Sequence, residues 1–172
     1  MKHLISLKGR LTILSLLAMA LIFLGCHAGQ KSTTGTVPQA LKGDSLFAEL
    51  ERTPCFGKCP TYKISVYQSG YVVYNAVRWV KDTGLFYTFI TPQQMEGISE
   101  MAKKTGFAAM KDDYHDPNIT DVPTTFTSFR VNGKIKRIDN TFGDPPQELI
   151  DFEKYIDSVF AETRWIRINN RD

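Results

Sequence analysis

"TYKISVYQSGYVVYNAV", Thr61 to Val77, decides the fold class. Tyr62, Ile64 and Val66 recur at period two, the spacing that lines side chains along one face of a strand. Gln68-Ser69-Gly70 interrupts the alternation, and a second β-rich run begins at Tyr71. Two such runs around a Gly-bearing turn form a hairpin, with Gly70 supplying the positive φ. On the N-terminal side, "LFAELER" (Leu46 to Arg52) alternates and reads as a strand leading into two cysteines. On the C-terminal side, after the Lys81-Asp82-Thr83 turn, "GLFYTFI" (Gly84 to Ile90) continues as a third strand.

Beyond these strands the punctuation is helical. In "TPQQMEGISEMAKKTG", Thr91 is the expected N-cap, Pro92 the first helical residue and Gln94 the closing member of a capping box. Met95, Ile98, Met101 and Ala102 form its buried stripe. Lys103 and Lys104 suit the negative C-terminal end, and Gly106 takes the left-handed closing conformation. "TTFTSFRVNGKIKRIDN" is a second hairpin turning at Asn132-Gly133. Phe126 and Phe129 have opposite parity, which predicts a bulge or a two-faced strand. In "GDPPQELIDFEKYIDSVFAE", Asp144 is expected to cap and Pro145 to start a second helix. Leu149, Phe152, Ile156, Val159 and Phe160 line one of its faces. "RWIRI" adds a short closing strand. The order β-β-β-α-β-β-α predicts an α+β fold: an antiparallel sheet of about five strands with two helices packed on one face. Residues 46–172 form this single domain, large enough for a real core.

The first thirty residues speak to destination. Lys2, Lys8 and Arg10 precede an apolar run, Leu11 to Leu24, that has the length of a signal-peptide core and is short for a bilayer span. It ends at Phe23-Leu24-Gly25-Cys26, which resembles the lipobox of bacterial lipoproteins; Phe23 and Leu24 depart from its usual Leu and small residue. The resemblance implies cleavage after residue 25 and lipidation of Cys26, which anchors the protein to a membrane. The competing reading is an uncleaved anchor helix. Residues 26–45 are polar and rich in Gly, Ser and Thr, a tether spanning on the order of 25 Å. The formal charge of the whole chain is +3. Loss of the three basic residues of 1–25, a segment without acids, leaves 18 basic against 18 acidic residues. A neutral domain carries no electrostatic footprint for nucleic acid. "HAGQKS" after Cys26 lacks both the acidic run of surface lipoproteins and the Asp of inner-membrane retention. The periplasmic face of the outer membrane is the expected location.

"ERTPCFGKCPTYKISVYQSGYVVYNA", then "DDYHDPNITDVPTTFTSFRVNG" and a late "RWI", resemble a domain-of-unknown-function family of Bacteroidota lipoproteins. The match runs through Arg52, Thr53, Pro54, Cys55, Gly57, Cys59, Pro60 and Tyr62, and through Thr120, Asp121, Pro123 and Thr124. The resemblance implies a family and no activity, so it supplies no catalytic residue and no cofactor.

Cys55 and Cys59 admit a metal, a redox and a structural reading; for redox, Lys58 helps slightly, but the Cys-x-x-Cys of oxidoreductases is absent. Structural zinc needs four ligands, and the mature chain offers two thiols with His27 and His115. The spacing C-x-x-x-C-P resembles the motif of copper-delivery thioredoxin-like proteins, with His115 as a third ligand. In those proteins, however, the cysteines sit where a strand turns into a helix, whereas here Cys-Pro runs into a strand. An exported domain with two nearby cysteines is expected to form a Cys55–Cys59 disulfide, and the small ring contributes about 2 kcal/mol. Asp112, Asp113, His115, Asp116 and Asp121 gather in one polar stretch, but without calcium-loop spacing; Asp-Pro reads as turn chemistry. No zinc-hydrolase or nucleophile-elbow motif appears. The strands carry Tyr62, Tyr67, Tyr71, Tyr74, Trp79, Phe86, Tyr87 and Phe89, a candidate aromatic face for glycan or peptide as well as ordinary core. The expected function is that of a non-enzymatic envelope lipoprotein binding a protein, peptide or glycan. The alternative is a thiol-redox or copper-handling protein using Cys55 and Cys59.

Overall fold

The computed structural model describes residues 43–168. The expected signal peptide 1–25, the expected lipidation site Cys26 and the expected tether as far as residue 42 lie outside the described residues. Among the described residues no helix is long and apolar enough to cross a membrane.

The domain is α+β. Its strands are β1 (Leu46–Arg52), β2 (Thr61–Tyr67), β3 (Tyr71–Arg78), β4 (Gly84–Phe89), β5 (Asp113–His115), β6 (Thr125–Val131), β7 (Lys134–Thr141) and β8 (Ile166–Arg167). Two helices, α1 (Pro92–Lys104) and α2 (Gln147–Phe160), follow β4 and β7. The strands form one sheet in the order β5-β7-β6-β1-β2-β3-β4-β8. The expected five-stranded antiparallel sheet is therefore corrected in size and in kind. There are eight strands, and β5 lies parallel to β7. Asp113-Tyr114-His115 shows no alternation because backbone holds it: Asp139 N–H donates to Asp112 O (2.9 Å) and Asp116 N–H to Thr141 O (3.3 Å). A three-residue edge strand of this kind has no side-chain signature.

Local chemistry explains most of the remaining elements. Gly70 at φ 81° closes the β2–β3 turn, and Asn132 (φ 49°) with Gly133 (φ 80°) closes the β6–β7 turn. At α1, Thr91 Oγ1 accepts from Gln94 N–H (3.2 Å) while Gln94 Oε1 accepts from Thr91 N–H (2.9 Å), which completes the capping box. Gly106, at φ 70°, takes the left-handed position after α1. The start of α2 differs from expectation. Asp144 has φ 54° and does not cap, and the helix begins at Gln147 with Pro146 as its N-cap. Pro146 pushes the preceding Pro145 out of helical space, so helix cannot start before it. The parity conflict in β6 resolves as a two-faced strand. The β6–β7 register runs unbroken from Thr125↔Asn140 to Val131↔Lys134, and the bulges fall instead in β1 and at the start of β2.

Pairing sets the two faces of the sheet. Ala48, Leu50, Ile64, Val66, Val72, Phe129 and Ile138 pack in one cluster with the helix residues Ile98, Ala102, Leu149, Phe152, Ile156 and Phe160. Phe107, in a single 3-10 turn after α1, completes this core with ring centroids 5.1 Å from Phe152 and 6.2 Å from Phe129. The other face is divided. Tyr67, Tyr71, Val73, Leu85, Tyr87, Ile166 and Ile168 form a second cluster, and among the described residues the Tyr71 hydroxyl finds no hydrogen-bond partner. Beside it runs a charged ladder in which Lys63 Nζ lies 2.7 Å from Glu51 and 3.7 Å from Glu49.

The chain enters at one end of the sheet, where Gln68 N–H donates to Ser45 O (2.9 Å) and Ser69 Oγ to Asp44 Oδ2 (2.5 Å). The β1–β2 loop with its cysteines, the β3–β4 loop and the segment before β6 lie at the opposite end.

Candidate functional site

Cys55 and Cys59 are joined as a disulfide, with Cα atoms 5.7 Å apart. The loop around them is tied to the segment before β6. Thr53 N–H donates to Thr124 O (3.0 Å), and Thr124 N–H donates to Thr53 Oγ1 (2.7 Å). The R-T-P-C and T-D-x-P-T stretches, 71 residues apart at this contact, thus lie side by side. His115 is elsewhere, in edge strand β5, three strands from β1. Among the described residues no group of three or more His, Cys, Asp and Glu is placed to hold a metal ion. Two acids of the polar stretch serve local structure. Asp112 pairs with Lys136, and Asp116 Oδ1 accepts from Asn118 N–H (2.9 Å) in its own turn. The strand aromatics do not form one face. Tyr62, Tyr74 and Phe86 share the helix side, whereas Tyr67, Tyr71, Tyr87 and Phe89 point to the other.

The helix-side set opens into a cleft of about 500 Å³ between β2–β3–β4 and the C-terminal end of α2. Its walls are aromatic. Tyr74 and Trp165 lie 4.9 Å apart at 30°, Phe160 and Trp165 5.8 Å apart, Tyr74 and Phe86 6.1 Å apart, and Tyr62 meets Tyr74 edge-on at 5.8 Å. Asp157, Lys81, Asp82 and Thr163 supply the polar lining.

A bonded network forms the floor. Tyr62 donates its hydroxyl to Asp157 Oδ1 (2.5 Å). Arg52 donates three times: Nε to Tyr62 Oη (2.9 Å), Nη1 to Thr125 Oγ1 (3.0 Å) and Nη2 to Asp157 Oδ2 (2.7 Å). Behind it Glu153, 3% exposed, lies 3.9 Å from Arg52 Nη1 and accepts from Asn140 Nδ2 (3.1 Å) and Thr127 Oγ1 (3.5 Å). Register explains the convergence. Arg52 pairs with Tyr62 and with Thr125 across adjacent ladders, so all three side chains leave the same sheet face. Asp157 and Glu153, one helical turn apart, meet them from α2.

Burial pushes the Tyr62 phenol far above its ordinary range, and the carboxylate of Asp157 pushes the same way. The group is a neutral donor at any physiological pH. Burial tends to lower the Arg52 guanidinium, but Asp157 and Tyr62 outweigh it and hold the cation above its ordinary value. Burial raises Glu153, against the opposing pull of Asn140 and Arg52. Tyr74 is raised by burial and by the charge of Asp157. The shifts of Arg52, Tyr62 and Tyr74 run away from neutrality, opposite to what a general acid or base requires.

The sequence from residue 47 to residue 160, β1 through α2, matches one family. The chain belongs to the DUF6438 family, a domain of unknown function. No curated protein matches it. The matched span of the DUF6438 domain contains the entire polar floor, from Arg52 to Asp157, while Trp165 and β8 follow it. Within that span, the sequence marks Arg52 only as a motif member and Tyr62 as a motif member and strand aromatic, and sequence reasoning misses Glu153 and Asp157. A signal for these two was present. Acids four apart along the edge of an apolar helix stripe repel each other unless a cation lies between them, and Arg52 is that cation.

Proposed function

We propose that the chain is a non-enzymatic lipoprotein of the cell envelope, anchored through a lipidated Cys26 at the periplasmic face of the outer membrane. Its DUF6438 domain binds a partner in the Tyr62–Trp165 cleft. The observation that carries the binding reading is the pre-paired floor. Arg52, Tyr62 and Asp157 satisfy one another before any ligand arrives, so the aromatic walls above them are held in fixed positions. A concave site that combines aromatic side chains with a few convergent polar groups has the elements of a small-molecule site. The anchoring reading rests on the basic start, the short apolar core and Gly25-Cys26.

Two measurements test this. Cys26→Ser should shift the protein from the detergent phase to a soluble or unprocessed form; unchanged partitioning and an intact anchor would remove the lipoprotein reading. For the domain, a glycan and peptide array should give hits that Trp165→Ala abolishes while the thermal midpoint stays within a few degrees. Hits indifferent to Trp165→Ala would place recognition elsewhere. A thiol-redox or copper role for Cys55 and Cys59 is the competing reading, and it requires alkylatable thiols or bound copper in protein isolated from the envelope.

A further inference from the structure

Building on the cleft as a binding site, we infer that its ligand is a neutral, hydroxyl-rich ring: a pyranose unit of a glycan. The first ground is charge. In the floor Arg52 is matched by Asp157 at 2.7 Å, and the lining adds one cation, Lys81, and one anion, Asp82, so the formal charges facing the cleft sum to zero, with Glu153 buried behind them. The Tyr62 phenol stays neutral. The lining therefore favours neither an anion nor a cation.

The second ground is the backbone. β2 lies between β1 and β3, β3 between β2 and β4, and β4 between β3 and β8. Beside the cleft the sheet ends in β8, which spans only Ile166–Arg167, so its free edge is too short to template a peptide main chain. Recognition falls to side chains alone.

The third ground is the kind of side chain. Half-buried Tyr62, Tyr74 and Trp165 provide ring surface, whose negative π faces attract the polarised C–H groups of a sugar ring. Asp82, Asp157 and the Tyr74 and Thr163 hydroxyls provide oxygen acceptors for sugar hydroxyls, and Lys81 provides a donor. An aromatic middle with oxygen acceptors at its margins matches a ring with apolar faces and a polar rim. A purely apolar side chain would leave those margins unused.

The chain has two tryptophans, so Trp79→Phe leaves Trp165 as the sole reporter inside the cleft. The Trp79→Phe protein is titrated with neutral disaccharides of gluco, galacto, manno and N-acetylglucosamine units. In parallel it is titrated with tetramethylammonium chloride, inorganic phosphate and a mixed tetrapeptide pool. The expected result is a saturable change in Trp165 emission with at least one disaccharide, weakened about tenfold or more by Tyr74→Leu. A melting curve verifies that this variant is folded. Saturation by the cation, phosphate or peptides alone, with the same sensitivity to Tyr74→Leu, overturns the glycan inference and leaves the binding site standing. Silence from every probe class overturns both. A disaccharide response indifferent to Tyr74→Leu also overturns the inference, since the sugar then sits outside the cleft.

Discussion

Replacing Arg52 with Met tests whether the floor of the cleft is one coupled unit. The variant keeps an aliphatic stem and removes three donated hydrogen bonds, to Tyr62, Thr125 and Asp157. It also strips Glu153, 3% exposed, of its nearest cation. Breaking a buried pair by deleting one partner costs about 3–5 kcal/mol, and Arg52 is a quarter exposed, so water replaces part of the loss. The expected destabilisation is about 3 kcal/mol, read as a lower urea midpoint at unchanged slope. Glu153→Gln keeps an oxygen for Asn140 and Thr127 but carries no charge. In the Arg52→Met background it should restore about 1 kcal/mol or more, because it removes the stranded carboxylate. The pH dependence has a definite sign. Burial raises the folded-state value of Glu153 above its ordinary 4.5. The folded state therefore favours the protonated form; that contribution is complete below the ordinary value and is lost as pH rises through the raised one. Without Arg52 the value rises further, so the penalty of Arg52→Met should be larger at pH 7 than at pH 4. Strict additivity of the two substitutions, or a penalty independent of pH, would refute the coupling.

Phe152 is fully buried against Phe107 and Phe129, and Phe152→Ala should cost about 3–5 kcal/mol by urea denaturation. A Cβ on Gly143 would overlap the backbone of Tyr114, so Gly143→Ala should cost about 3 kcal/mol and weaken the β5–β7 pairing, seen as faster amide exchange at Asp116 and Asp139. Removing both cysteines should lower stability by about 2 kcal/mol without abolishing folding, and intact-mass analysis after alkylation should find no free thiol at Cys55 or Cys59 in the native protein.

What could be read from the chain was local, and what could not was distant. Gly70, Asn132-Gly133 and the Thr91–Gln94 box act within four residues, so their chemistry is written in adjacent letters. The helix stripes were legible because burial repeats at the helical period. Edge strand β5 has no such period. The first turn of α2 was misread at Asp144 because two successive prolines, not a side-chain cap, set where helix begins. The cleft was hidden for a further reason. Arg52 and Asp157 are 105 residues apart, Tyr62 and Asp157 are 95 apart, and only sheet order brings them together. The aromatics had been counted as one load. Pairing register divides them, since Tyr74 opposes Phe86 while Tyr71 opposes Phe89 on the other face.

The same register separates the staple from the site. Arg52 ends β1, Tyr62 follows the first residue of β2, and the two are ladder partners as well as hydrogen-bonded neighbours. The disulfide closes the loop beyond that pair, on the side away from the sheet. Two independent devices therefore hold the R-T-P-C-x-G-x-C-P-x-Y stretch: a backbone ladder with the Arg52 network at its base, and a covalent bridge at its neck. The bridge governs the exposed tip, where Phe56 stands 95% exposed and Lys58 lies 5.6 Å over the Trp79 ring. The ladder governs the cleft. A motif that unites cysteines with an arginine and a tyrosine invites a reading in which all of them share one chemistry. In this fold they divide it, with the cysteines bonded to each other at the tip and the arginine and tyrosine bonded to Asp157 below.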